Sequence, residues 1–346
     1  MFANWRAGAA LLLISLGWLT PAQAVDIQRW QTAHGAKVLF VASHDNPLLD
    51  VRVDFDAGNR RDSADKPGVS DLTLTLLDAG TDALSEEAIK ARLADLAAQL
   101  SGSSDIERAG VGLRTLSDPA QREPALALLA DMLARPNFPA ALLAREKAQM
   151  LTALREAEDD PAGRGERALR RLMYGAHPYA LSARINADSV RRISRDDVLR
   201  FWRAHYTARR AVVSLVGDIS RADAERIAEQ LTARLPAGAD ALKPIPPVSA
   251  PAQGGREQLL HSGTQTHLFL GMPVLRRDDP DYFPLLVGNY VLGGGGFDSR
   301  LMKEVRDKRG LTYGVSSHFS PMEQAGEFEI ALSTRNAQAD TALKVV

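Results

Sequence analysis

The chain contains no cysteine, so seven histidines and the carboxylates are the side chains left to hold a transition metal. Absent thiols exclude disulfide scaffolds, thiolate zinc sites, iron–sulfur clusters and cysteine nucleophiles. A catalytic zinc needs three protein ligands and an open position. His261 and His267 are six residues apart and would share one face of a strand, but at ~3.3 Å per residue ~20 Å would separate them. His34, His44, His177, His205 and His318 stand alone. Each reads as a satisfied or exposed histidine rather than a ligand. No metal is expected in this chain.

A different chemistry is available in RDKRGLTY, where Arg306 and Tyr313 lie seven residues apart. A guanidinium is a fixed fork of donors suited to a peptide carbonyl. A tyrosine hydroxyl can donate to a developing oxyanion. The plain alternative is a cation placed near a helix end to complement the dipole, with Lys303, Lys308 and Arg309 as surface charge. Upstream stand Gly293, Gly294, Gly295 and Gly296. They do not form a phosphate loop: Phe297, Asp298, Ser299 and Arg300 follow where Lys and Ser or Thr would be needed. A helix C-cap explains one or two of these glycines. Four in a row imply close backbone approach or a mobile loop.

The elements around these residues divide the chain near residue 245. Of 346 residues, 45% are hydrophobic and 25% charged, as in a folded protein. The 42 Lys and Arg nearly balance 43 Asp and Glu, which excludes a sequence-independent nucleic-acid binder. Residues 1–24 read as a secretory signal: Arg6, an apolar run over 9–19, then Ala22-Gln23-Ala24. That run is too short to span a bilayer. The expected product is a periplasmic protein cleaved after about Ala24, with no membrane anchor. A first module is expected over 25–235, with strands at 37–42 and 49–55, helices at 68–79, 85–100, 124–134 and 139–157, strand material at 103–116, a buried strand at 211–216 and a helix at 221–235. Five prolines make 236–256 a linker. A second module, 257–346, restarts the pattern with a strand at 265–271, helices at 281–292 and 299–308, and strands at 312–318 and 326–333. Its last residues enter a helix, so the module is read as cut short. Strand, charged turn and apolar helix recur in both halves, which suggests two similar α+β modules.

In order and spacing, four segments resemble the insulinase, pitrilysin and mitochondrial processing peptidase family of zinc peptidases. They are Gly68-Val69-Ser70 with Gly80-Thr81; Arg145-Glu146-Lys147 with Asp160-Pro161; His177-Pro178-Tyr179 with Val216-Gly217-Asp218; and the glycine run with Ser299-Arg300-Leu301 and residues 306–313. The resemblance implies two α+β modules, each an antiparallel or mixed sheet packed with helices, facing each other around a chamber. The family's inverted motif H-x-x-E-H falls on Asp71, Leu74 and Thr75, and its third ligand near Ala153. Asp71 could ligate a metal, Thr75 is a poor ligand, Leu74 cannot act as a base, and Ala153 has no donor. Glu146 is kept, and it and Asp71 read as solvated helix-surface carboxylates. The catalytic roles therefore fail together. Arg306 and Tyr313 match the family's substrate-holding pair, and the glycine run looks like the loop that admits substrate in the non-catalytic processing-peptidase subunit. The resemblance implies a non-catalytic subunit that binds unfolded peptide and completes the active site of a homologous zinc-bearing partner in a heterodimer. The other reading is a peptide-binding or structural module without a peptidase role.

Overall fold

The computed structural model describes residues 26–236, 242–249, 251 and 253–346. The expected signal segment and part of the linker lie outside the described residues. The fold class is α+β, as expected, with two sheets each packed by helices. Among the described residues no helix is long and apolar enough to cross a membrane.

The first sheet has six strands in the order β1 (Gln28–Gln31), β2 (Lys37–Ala42), β6 (Val212–Gly217), β3 (Leu48–Phe55), β5 (Ala109–Leu116) and β4 (Gln99–Ser104). Only β2 and β6 run parallel. Strand β3 alternates strictly, burying Leu49, Val51, Val53 and Phe55 and turning Asp50, Arg52 and Asp54 outward. That period of two is what a half-buried strand requires. The helices are α1 (Val69–Thr75), α2 (Glu86–Asp95), α3 (Pro119–Ala134), α4 (Ala140–Glu158), α5 (Pro161–Tyr174), α6 (Ala187–Arg192), α7 (Arg195–His205) and α8 (Arg221–Thr232). Leu126, Leu129 and Leu133 of α3 join Ile227 and Leu231 of α8 in the core. Ser85, Asp118, Asp160, Asn186, Ser194 and Ser220 each accept a backbone N–H at their helix's start. Such caps satisfy donors that no helix can satisfy internally.

The helix expected over 85–100 ends early, and its tail becomes β4. Ala97 takes φ +49° and Ala98 N–H bonds back to Leu93 O at 2.9 Å. This is a left-handed helix stop made without glycine. Accordingly the strand material expected over 103–116 is the end of β4, a turn and β5, within a hairpin that spans 99–116.

The second sheet is antiparallel, in the order β7 (Gln265–Pro273), β9 (Glu327–Arg335), β8 (Val315–Ser320). Helices α9 (Tyr282–Asn289) and α10 (Ala339–Val345) accompany it, with π-helical turns at Tyr290–Gly294 and Met302–Asp307. The latter replaces most of the regular helix expected over 299–308, and β8 begins three residues later than expected.

The two halves are joined by α5, which packs directly on β7. A Cβ at Gly165 would lie 2.6 Å from the Phe269 ring, so only glycine permits this approach. Leu169, Met173, Tyr174 and Tyr179 form an apolar cluster with Met322 and with Ile245 of the linker. Glu107, 4% exposed at its side chain, supplies the polar joint. Its Oε1 accepts from Arg60 Nη1 (2.7 Å), Tyr179 OH (2.8 Å) and the Glu323 N–H (2.9 Å). Its Oε2 accepts from Arg277 Nη2 at 2.5 Å. Burial alone would raise this carboxyl, but these donors hold it below its ordinary range. Arg170 adds a paired contact to Glu327 at 2.7 and 3.1 Å. The linker is pinned as well: Arg61 Nη1 donates to Lys243 O at 2.7 Å, and His177 Nε2 lies 2.9 Å from Pro246 O.

Two predictions follow from this frame. Glu107→Ala leaves Arg60 paired with Asp56 (3.0 Å) and Glu323 (2.8 Å) but removes the shared acceptor of Tyr179, Arg277 and the Glu323 N–H, and is expected to cost about 1–3 kcal/mol, read as a lowered urea midpoint. Asp50→Ala, which breaks the exposed pair with Arg114, should leave the midpoint close to wild type. The second concerns Asp62, which accepts the N–H groups of Gly68 (2.6 Å) and Ser70 (2.9 Å) at the start of α1. Burial pushes its carboxyl up to about 7. The folded state therefore holds the proton more tightly than the unfolded state. This contribution is full below the unfolded value of 3.8 and is lost as pH rises towards 7. Denaturant titrations across pH 4–7 should show Asp62→Asn removing that downward component of the slope; an unchanged slope would refute it.

Candidate functional site

Two groups of residues answer to the expected site. The first lies on α1 and α4, which pack together, with Met150 of α4 against the start of α1 at Gly68. Asp71 is half-buried: its Oδ2 accepts from Asn59 Nδ2 at 3.0 Å and its Oδ1 from Ser104 Oγ at 3.2 Å. Burial raises its carboxyl, partly opposed by those two hydrogen bonds. Leu74 packs against the core and lies over Gly102 of β4, 3.6 Å from where a Cβ there would sit. Thr75 and Ala153 are exposed.

The expectation of solvated helix-surface carboxylates is corrected here. Asp71 is tied into a buried hydrogen-bond group that continues through Asn59 to Ser70 Oγ at 2.9 Å. Glu146 is buried and accepts from Arg145 Nε at 2.8 Å, while Arg145 grips Glu86 at 2.7 and 2.8 Å. A divalent zinc would need lone pairs converging on one point. The side chains at the four positions supply one carboxylate already bonded to two donors, one exposed hydroxyl and two hydrocarbons. The set does not fit a zinc, and no chemical step is assigned to a metal here. Among the described residues no group of three His, Cys, Asp or Glu is placed to hold a metal ion.

The histidine spacing is also corrected. The rings of His261 and His267 have centroids 6.0 Å apart, not ~20 Å as an extended strand would impose. The strand begins only at Gln265, and residues 262–264 bend His261 back over it. Even so, His261 Nδ1 accepts the Gly263 N–H at 3.0 Å, which puts the proton of the neutral ring on Nε2. That nitrogen is then a donor and not a ligand. His267 Nδ1 is engaged with Ser333 Oγ at 2.8 Å.

The second group is brought together by the turns beside β8. Gly295 N–H bonds to Tyr290 O at 2.8 Å, closing a π-turn. A Cβ on Gly293 would meet Ser317 Oγ at 2.4 Å, and one on Gly295 would meet Tyr290 O at 2.6 Å. Gly296 takes φ +64°. Close approach and one left-handed turn thus account for these glycines. A buried clasp fixes them: Ser317 Oγ donates to Asn289 Oδ1 at 2.6 Å, and Asn289 Nδ2 donates to Ser317 O at 3.1 Å. Arg306 sits in the π-helical turn, followed by Gly310 at φ +59°. Tyr313 lies two residues before β8 and is 89% exposed. The Arg306 guanidinium carbon lies 5.0 Å from the ring centroid of Phe297 and 5.6 Å from that of Tyr313. Its nearest acid is Asp307, at 3.7 Å. Among the described residues it donates no hydrogen bond. Phe297 was not singled out from sequence; an aromatic directly after a glycine run was the available signal.

This arrangement can be set beside known proteins. Residues 37–185 match the family model described as insulinase, peptidase family M16, and residues 192–346 match the one described as peptidase M16 inactive domain. A crystal structure of a peptidase M16 inactive domain from Pseudomonas fluorescens is 41% identical, with TM-score 0.89, and the match covers 92% of this chain and 77% of that one. A non-peptidase homolog, YmxG, of Helicobacter pylori is 26% identical over 97% of this chain and 78% of its own. An uncharacterized zinc protease of Streptomyces coelicolor is 31% identical over 58% of this chain, and the match spans only 44% of that relative. The chain belongs to the insulinase family of peptidases, family M16, as an inactive homologue.

Proposed function

We propose that this chain is an exported, non-catalytic subunit of a zinc metallopeptidase. It binds unfolded peptide and completes the active site of a zinc-bearing partner of the same family. The observation that carries the reading is the state of Arg306. Among the described residues its guanidinium donates no hydrogen bond, its carbon lies 5.0 and 5.6 Å from two ring centroids, and it stands beside a glycine turn clasped by Asn289 and Ser317. The buried or half-buried arginines Arg60, Arg145 and Arg170, by contrast, are each held by a carboxylate at hydrogen-bond distance.

Peptide enters the reading in extended form. Strand β4 is an open edge of the six-stranded sheet, bonded on one side to β5. Its free N–H and C=O groups suit an added strand. The Arg306 fork donates to a peptide carbonyl, and the Tyr313 hydroxyl donates as negative charge grows on that oxygen. The two modules face each other across the chamber in which this occurs. Zinc, nucleophilic water and general base belong to the partner, because the residues at positions 71, 74, 75 and 153 supply none of them. Residues 1–24 direct export, and the cysteine-free chain needs no oxidative folding in a periplasm.

The purified chain is expected to retain far less than one zinc per chain after dialysis; stoichiometric zinc by elemental analysis would overturn this. The combined changes Asp71→His, Leu74→Glu, Thr75→His and Ala153→Glu should raise metal retention. In a complex with a zinc-bearing partner, Arg306→Ala or Tyr313→Phe should lower peptide turnover by about 10²–10³, mainly in kcat. Lys308→Ala, whose ammonium is occupied by Glu304 at 2.6 Å, should leave turnover near wild type. If the Arg306 and Tyr313 variants cleave at wild-type rates in an intact complex, the gripping role fails and the peptide-binding module without peptidase role takes its place.

A further inference from the structure

Arg306 has the longest reach in its group and the weakest polar anchoring. Among the described residues its one ion-pair partner is Asp307 at 3.7 Å, itself half in solvent and too distant to fix the guanidinium plane. What does fix it is aromatic: Phe297 at 5.0 Å on one contact and Tyr313 at 5.6 Å on another. Both distances lie inside the range in which a ring face attracts a cation. The two rings differ in what else they can do. Tyr313 carries a hydroxyl for donation, whereas Phe297 offers only a face and apolar area.

Phe297 is mounted firmly. It occupies the short 3-10 turn Gly296–Asp298, closed by Ser299 N–H to Gly296 O at 3.1 Å. The turn hangs from the glycine run that Asn289 and Ser317 clasp. The residue is nonetheless 68% exposed, and the nearby Val287, Tyr290 and Val291 are exposed as well, so its face is accessible from solvent. No residue beyond its chain neighbours lies within 4 Å of the position a Cβ on Gly296 would take, so the backbone at the start of this turn is open on that side.

Resting on the reading that Arg306 grips a peptide carbonyl, we infer that Phe297 is the positioning residue of that grip and sets its side-chain preference. Its ring holds the guanidinium fork in one plane. Its free surface receives an aromatic or large aliphatic side chain of the peptide next to the gripped carbonyl. The substrate class is therefore extended peptide with a bulky apolar residue at that place, in preference to glycine or an acidic residue.

The test uses the full chain and labelled unstructured peptides that differ at one position, Phe, Leu, Gly or Asp, with binding read by fluorescence anisotropy. Phe297→Ala should weaken binding of the Phe peptide by about two- to five-fold and remove its advantage over the Gly peptide. Phe297→Tyr should restore both. Phe297→Leu keeps apolar area but no ring, and should bind the Leu peptide while losing the hold on Arg306. That hold has its own readout without peptide. The Arg306 Nε–H NMR signal, assigned by its loss in Arg306→Lys, should shift in Phe297→Ala and Phe297→Leu and stay in place in Phe297→Tyr. Unchanged peptide ranking in Phe297→Ala, or an unmoved Arg306 signal, overturns the inference. If Arg306→Ala weakens binding while Phe297→Ala does not, only the role of Phe297 falls. If Arg306→Ala binds every peptide as wild type does, the grip and the inference fall together.

Discussion

A carboxylate removed from water must have its charge answered, and at Glu107 the answer comes from both halves of the molecule. Arg60 and Tyr179 reach it from the half that holds the six-stranded sheet, Arg277 and the Glu323 amide from the half that holds the three-stranded sheet. Neither half alone satisfies it. The desolvation of one acid thus couples the placement of the six-stranded sheet, through Arg60 just after β3, to the placement of the three-stranded sheet beside whose β8 Arg306 and Tyr313 lie. The apolar cluster of Leu169, Met173, Tyr174 and Met322 supplies area to the same joint, but area is non-directional. Charged hydrogen bonds are what give the joint one geometry.

Within that frame the two candidate groups have opposite characters. On α1 the potential of the polar atoms is spent. Asp71 bonds to Asn59 and Ser104, and Leu74 covers Gly102 with hydrocarbon. Beside β8 the potential is held in reserve, with a guanidinium braced by rings and open to solvent. A protein that had simply decayed would have little reason to keep Asn289 and Ser317 clasped beneath a glycine run that tolerates no side chain at Gly293. The asymmetry is what the proposed peptide-holding role rests on.

Much of the frame was legible in the sequence because its signals are local. The alternation of β3, the capping residues Ser85, Asp118 and Asp160, and the restart of pattern after the prolines all act over a few residues. The failures were of two kinds. Ala97 ends α2 in a left-handed conformation that glycine normally announces, so the helix was carried into what is β4. Likewise the bend at 262–264 brings His261 to His267, where spacing along a strand put them far apart. The second kind is partnership across the chain. Glu107 and Arg277 are 170 residues apart, and nothing in either neighbourhood marks them as a pair. Arg306 and Tyr313 were found because they are near in sequence. Phe297, nine residues before Arg306, was missed because its ring earns meaning only once the π-turn folds it over the guanidinium.

The composition of β4 has a consequence for the protein's behaviour in crowded surroundings. An unpaired strand at a sheet edge is a template for any other extended chain, including another copy of itself. Here the exposed run is Gln99-Leu100-Ser101-Gly102-Ser103-Ser104, short, hydrophilic and free of β-branched or aromatic side chains. Two copies meeting edge to edge would gain backbone bonds but no interlocking side chains, the ingredient that makes cross-β stacking durable. The same strand can accept a visiting segment whose side chains find their own contacts elsewhere. Selectivity between a passing peptide and irreversible self-assembly is thus written into an edge that is open in its backbone and nearly blank in its side chains.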